Sequence, residues 1–506
     1  MEMFDYVVIG GGSAGCVLAA RLSADPAASV LLLEAGGGGR RPEVDDPGRW
    51  SETLGTDLDW GYLTEPQAAA AGRRIYWPRG KALGGSGAIN AMVYVRGAPS
   101  DYDRWEEMGC PGWGFADVLP VFRALEDVPE GDPRYHGRGG PFAPAVPERH
   151  NPLSEAVMSA ALELGYPFNA DPNAASAEGV GWNQLTVADG RRQSAAEACL
   201  RPVLGRSNLT VRTYAHVQRL RIEGGRASAV EYMWEDKVHA VAVAGEVVVA
   251  AGAIESPKIL MLSGVGPADE LRSHGIDVCV DVPAVGANLQ DHPGVPVTFG
   301  ARRPIPAGPN QGSEVGLFCR IGSGDGGPDI QFGVLTVALS PDGLITAGSS
   351  FSFYPCLLKP GSRGTLRLRS ADPSDPPLID PGYLTDSDDV RTLVGGLEVA
   401  RDLARAPAMA AWSGDEIHPG PEVRTQAELD AYVERSVNTW FHPVGTCRMG
   451  QASDAVVDPQ LRVRGLDNVR VADASVMPEI PSGNTNAPTL MIAWKAAELI
   501  AEGANA

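Results

Sequence analysis

No stretch of this 506-residue chain approaches the roughly 18 consecutive apolar residues that cross a bilayer. The N-terminus has no charged segment followed by an apolar one, so neither a membrane span nor a secretory leader is expected. Cysteine is scarce: Cys16, Cys110, Cys199, Cys279, Cys319, Cys356 and Cys447 are spread along the chain without a C-x-x-C pair. An odd number so dispersed argues against a disulfide framework and a zinc site, and points to a reducing, cytoplasmic setting. Basic residues are also short, with 42 Lys and Arg against 63 Asp and Glu, a net charge of −21. A surface of that sign repels phosphate backbones and anionic lipid heads, which argues against nucleic acid as a partner. The excess acid either keeps the protein soluble or favours a cationic substrate.

What is present is ordinary for a globular protein: 44% hydrophobic and 21% charged residues, on a chain long enough for two or more lobes. The 61 glycines and 41 prolines predict short elements joined by many turns. Residues 4–9, Phe-Asp-Tyr-Val-Val-Ile, form a β-branched run; glycines follow, then Cys-Val-Leu-Ala-Ala-Arg-Leu at helical spacing, then a second apolar run over 29–34. That is a βαβ unit, and continuous apolar runs of this kind belong to buried parallel strands, so the fold class is α/β and begins at the first residues. Similar runs recur at 246–252 and 468–473. Between them, 101–185 is rich in Gly, Pro and aromatics, while 295–440 mixes strand-like alternation at 365–370 with helical stretches near 388–405 and 426–436, which suggests a second lobe of α+β character. Residues 487–501 read as an amphipathic helix with Pro488 near its start.

Gly10-Gly11-Gly12-Ser13-Ala14-Gly15 fits G-x-G-x-x-G after a strand and before a helix, with Glu34-Ala35 closing the next strand. Glycines let the backbone approach a pyrophosphate at the positive helix end, and an acid at the end of the second strand accepts hydrogen bonds from ribose hydroxyls. The motif alone does not separate FAD from NAD.

Further segments do. Residues 80–97 and 252–266 resemble the two signature stretches of the glucose–methanol–choline oxidoreductase family. Phe441-His-Pro-Val-Gly-Thr-Cys-Arg-Met-Gly450, Val471-Ala-Asp-Ala-Ser-Val-Met-Pro478 and Ser482-Gly-Asn-Thr-Asn-Ala-Pro-Thr489 resemble the same family's active-site block, and the matches occur in family order. The resemblance implies a discontinuous Rossmann-like FAD-binding domain over 1–100, 190–294 and 455–506, roofed by a sheet-and-helix substrate domain over 101–189 and 295–454. It implies oxidation of an alcohol to an aldehyde or ketone by hydride transfer to flavin N5. Gly10, Gly12 and Gly15 would hold the pyrophosphate and Glu34 the ribose, with Gly84, Gly85, Ser86, Asn90 and Met92 along the pyrophosphate and flavin. Asp473 and Ala474 match the ribityl contact, Asn486, Pro488 and Thr489 match positions beside the pyrimidine edge, and Val217 is assigned to the adenine end.

His442 matches the family's catalytic histidine, and the chemistry asks for one: the alcohol must lose a proton as hydride leaves, and imidazole titrates in the range to take it. Asn484 stands where relatives place a second His or an Asn, and its amide N–H suits a developing alkoxide. Asn486, two positions on, is the alternative. His136, His150, His216, His239, His274, His292 and His418 show neither metal-ligand spacing nor a motif, and are read as structural. Where some relatives attach flavin covalently through a histidine, this chain has Ile89, which has no nucleophilic atom, so FAD is expected to be non-covalent. Trp440 and Phe441 are expected in the substrate pocket, favouring a primary, aromatic alcohol. A choline-like cationic amino alcohol and a non-redox lyase of the same fold remain alternatives, as does a nicotinamide dehydrogenase on the fingerprint alone. The sequence leaves the electron acceptor open between O2, a quinone and another redox carrier.

Overall fold

The β-branched run near the N-terminus forms strand β1 (Met3–Ile9), whose Val7, Val8 and Ile9 are buried on both faces at the centre of a sheet. The computed structural model describes residues 1–308, 310–322, 327–343, 345–346 and 349–504. A glycine turn leads from β1 into helix α1 (Ser13–Leu22), and strand β2 (Val30–Leu33) returns parallel to β1 with Val7 beside Leu31. The third parallel neighbour comes from far along the chain: β3 (Leu209–Arg212) pairs with β2. A meander follows, made of β4 (His216–Glu223), β5 (Arg226–Trp234) and β6 (Lys237–Val249). The first half of β6 pairs antiparallel with β5, while its apolar second half lies parallel to β1 and to β7 (Val469–Val471). The parallel order β3-β2-β1-β6-β7 is that of a dinucleotide-binding sheet. Strand β6 is longer than the 246–252 run predicts because its alternating start belongs to the meander, and Gly252 opens helix α2 (Gly252–Leu262) rather than ending the strand.

The second sheet is antiparallel, ordered Ser413–His418, Val297–Ala301, Ser350–Leu357, Ile330–Leu335, Val315–Cys319, Gly179–Trp182. Phe299, Phe351 and Phe353 pack against one another on its buried face. Helix Ser387–Arg405 covers it with Leu393, Leu397, Ala400 and Ala404, spaced to fall on one stripe. Every strand of the first sheet lies within 1–100, 190–294 or 455–506. The described strands of the second lie within 101–189 and 295–454, apart from the short piece Pro293–Gly294, which pairs with Asn438–Thr439 and Cys356. The C-terminal helix α3 (Asn486–Ala504) packs on α1.

Candidate active site

A cavity of about 740 Å³ is lined by residues of both lobes. At one end lie Gly10, Gly12, Ser13, Ala14, Glu34, Ala35 and Val217; at the other lie Trp440, Phe441, His442 and Asn484. Gly85, Ser86, Ile89, Asn90, Met92, Asp473, Ala474, Asn486 and Thr489 also line it.

The glycine end is built for a diphosphate. Gly10 sits at φ +95°, and a Cβ there would come 2.7 Å from the carbonyl of Ala250. A Cβ on Gly85, at φ +52°, would stand 2.6 Å from the Cα of Gly12, so these two turns touch backbone to backbone. No side chain caps α1 and no acid occupies its first turn, which leaves its positive end open to an anion. Glu34 is buried, accepts from the amides of Gly11 and Gly36 at 2.7 Å each, and is pushed up to about 7 by burial. Diphosphate between the turns and ribose at Glu34 fit these donors and this acceptor, so the chain's residues suit a dinucleotide such as FAD.

Of the expected contacts, Gly15, Gly84 and Pro488 are not among the residues lining this cavity. Gly15 packs α1 closely on its strand, since a Cβ there would lie 1.7 Å from the Gly10 carbonyl. Gly84 makes a left-handed turn whose amide donates to the Gly11 carbonyl, and Pro488 is buried in the first turn of α3. Asp473 lines the wall, but its carboxylate is taken up by the Gly252 amide, the Ser256 hydroxyl and the Ser475 amide, which fastens α2 to the loop after β7.

Residues 288–294 and 438–446 run antiparallel, with Gln290 and Val444 exchanging backbone hydrogen bonds and the Trp440 amide donating to the His292 carbonyl. This pairing brings His442 to the cavity wall. Asp291 holds the turn: it accepts from the His442 amide at 2.7 Å, from Thr439 Oγ1 at 2.6 Å and from the Tyr383 hydroxyl. Asn484 comes from the loop before α3, pinned where Ser482 donates through its amide and hydroxyl to Asp101. Asn484 Nδ2 lies 3.3 Å from His442 Nε2, and Asn484 Oδ1 accepts from Gln331 Nε2 at 3.1 Å. Asn486 faces elsewhere: its Oδ1 accepts from Ser13 Oγ at 2.7 Å, at the start of α1. Burial, then His292 and the Arg79 guanidinium, hold His442 well below the ordinary imidazole range, so its ring is neutral near pH 7.

Trp440 stacks on Tyr354 with ring centres 5.1 Å apart, and its ring centre is 6.3 Å from that of His442. It rests on two glycines, since a Cβ on Gly294 or Gly333 would collide with the indole. Ile89 faces the cavity from a small apolar cluster with Val44, Leu58, Ala82 and Ala88.

His292, read from the sequence as structural, stands with its Nδ1 2.9 Å from Nδ1 of His442. No local spacing could reveal this, because 150 residues separate the two rings. Arg192 is also newly visible. It is buried, and it donates to the carbonyls of Gly87 and Asn90 and to Asn90 Oδ1, holding the loop that carries Ile89 and Met92.

Comparisons with known proteins show the family to which the chain is similar. Family models described as GMC oxidoreductase match residues 4–294 and 360–493. The chain is 42% identical to an alcohol dehydrogenase [acceptor] of Pseudomonas putida, over 98% of this chain and 96% of that one. It is 41% identical to human mitochondrial choline dehydrogenase, over 99% and 90%. The crystal structure of pyridoxine 4-oxidase from Mesorbium loti superposes with a TM-score of 0.94 at 40% identity, covering 98% of both chains.

Proposed function

The chain belongs to the GMC oxidoreductase family, and from that premise we propose how it works as an FAD-dependent alcohol oxidoreductase. FAD, when bound, supplies the hydride acceptor. The lobe of the first sheet would hold it, with Glu34 at the ribose, the turns of Gly10, Gly12 and Gly85 and the start of α1 at the diphosphate, and Asn486 and Thr489 beside the flavin ring. The apolar setting of Ile89 supports non-covalent binding. The lobe of the second sheet roofs the reacting end.

His442 takes the hydroxyl proton at Nε2 as the carbon gives up its hydride, which turns the alcohol into an aldehyde or ketone. Asn484 Nδ2 donates to the oxygen as negative charge develops there. A neutral imidazole is the form that accepts a proton, and the buried setting of His442 keeps it neutral. The observation that carries this reading is that His442 and Asn484 meet 3.3 Å apart on the wall of the same cavity that Glu34 lines.

The stacked Trp440 and Tyr354 support a primary, aromatic alcohol as substrate. A choline-like cationic alcohol is the second reading, supported by Asp342, an exposed carboxylate on the cavity wall, and by the similarity to choline dehydrogenase. All seven cysteines are free and six of them buried, which suits a reducing, cytoplasmic setting.

Anaerobic mixing of the yellow protein with a panel of aromatic, aliphatic and amino alcohols decides among these. Bleaching of the flavin by aromatic alcohols is expected, and admission of air or an artificial quinone then identifies the acceptor. Preferential bleaching by choline would select the cationic reading, and no bleaching by any alcohol would favour a non-redox role. His442→Ala should keep its flavin and reduce it about a hundredfold or more slowly, in the range of general-base effects.

A further inference from the structure

We propose that His292 is a positioning residue that fixes His442 in the tautomer protonated at Nδ1, leaving the Nε2 lone pair on the cavity side. The inference rests on His442 being the base.

The argument is one of donors and acceptors. His292 Nε2 lies 3.2 Å from the carbonyl oxygen of Leu358. A carbonyl only accepts, so that nitrogen carries the proton, and a neutral ring then has its lone pair on Nδ1. His292 Nδ1 faces His442 Nδ1 at 2.9 Å, a distance at which one must donate and the other accept. The proton of His442 therefore sits on Nδ1, and Nε2 is the basic atom, aimed at Asn484 Nδ2. Gln331 settles the other end, because its Nε2 donates to Asn484 Oδ1 and so turns the Asn484 amide N–H toward His442. The chain of bonds runs in one direction from Gln331 through Asn484, His442 and His292 to Leu358.

The surroundings keep His292 neutral. Its ring is fully buried, and burial, then the Lys359 ammonium, push it down to about 3, with the Leu358 carbonyl, then Asp101 and the Pro481 carbonyl, acting the other way. Around His442, the charged and titratable neighbours are the Arg79 guanidinium and the Asp291 carboxylate, the latter spent on the His442 amide, Thr439 and Tyr383. The orienter of the base is thus an uncharged acceptor. A carboxylate in its place would also stabilise the imidazolium and raise the base's pKa; an imidazole orients without doing so.

The test uses three holoenzyme variants with flavin reduction followed from acid to alkaline pH. In His292→Asn the side-chain oxygen can still accept from His442 Nδ1–H, so reduction should stay within about tenfold of the parent. His292→Leu offers no acceptor, and reduction at saturating alcohol should fall on the order of a hundredfold or more with KM and the flavin spectrum unchanged. His292→Asp should move the base's pKa in kcat/KM upward by about a unit or more. Equal losses in the Asn and Leu variants, or an unmoved profile in the Asp variant, would overturn the proposal. Should the Leu variant not fold, the Asn rate and the Asp profile decide alone. Unimpaired reduction by His442→Ala would instead overturn the assignment of the base.

Discussion

Ser13, at the start of α1, donates its hydroxyl proton to Oδ1 of Asn486, the first residue of α3, so the first and last long helices are tied together 473 residues apart at the cavity wall. Asn484, two residues earlier, pairs with His442 instead. Asn486→Ala should therefore weaken FAD binding while leaving flavin reduction in the FAD-saturated enzyme little changed. Asn484→Ala should keep the flavin and slow its reduction by roughly 1.5–3 kcal/mol, the worth of a hydrogen bond to developing charge. Rapid-reaction absorbance at saturating FAD separates the two. A larger rate loss in the Asn486 variant would reverse their roles.

Glu34 gives a pH dependence with a definite sign. Burial raises its carboxyl to about 7 in the cofactor-free protein, and only the ionised form accepts from both ribose hydroxyls. FAD affinity should therefore fall about tenfold between pH 8 and pH 6 as Glu34 gains a proton. Folding of the cofactor-free chain runs the other way: the raised pKa favours the protonated form, so its stability falls as pH rises from the ordinary carboxyl range through 7. Titration of the apoprotein with FAD at the two pH values, with Glu34→Ala as control, checks the slope. An affinity independent of pH would mean that Glu34 is not the ribose acceptor.

Acid precipitation should release the flavin to the supernatant, because Ile89 presents only aliphatic carbon to the cavity from its cluster with Val44 and Leu58. Flavin remaining with the washed pellet would identify a covalent link through another side chain.

Trp440 fills the space between Gly294, Gly333 and Tyr354 beside the base. Trp440→Val removes volume there without deleting a group bonded to His442, so bulkier or secondary alcohols should gain relative to small primary ones. A pocket resolves one or two methylene-sized groups by about 1–3 kcal/mol, which corresponds to tenfold or more in relative kcat/KM. An unchanged substrate profile with a lowered Tm would place the indole in the core rather than in the substrate pocket.

The strand, glycine turn, helix and acid over residues 3–35 were legible in the sequence because each depends on near neighbours. Apolar runs make buried parallel strands, glycine permits the turn at Gly10, and helical spacing begins at Cys16. His442 was legible through the residues flanking it. What the sequence left open lies in contacts between distant segments. That β3 forms the sheet edge beside β2, and that Asn484 and Asn486 part company, follow from pairings between segments far apart in the sequence. His292 is the clearest case. Nothing in its local sequence marks it, and its relation to His442 exists because residues 288–294 pair with 438–446 and set two imidazole nitrogens 2.9 Å apart in a buried space. Local propensity fixes which elements form, but the proton's place on a ring is fixed by the acceptor across from it, and only the tertiary structure supplies that acceptor.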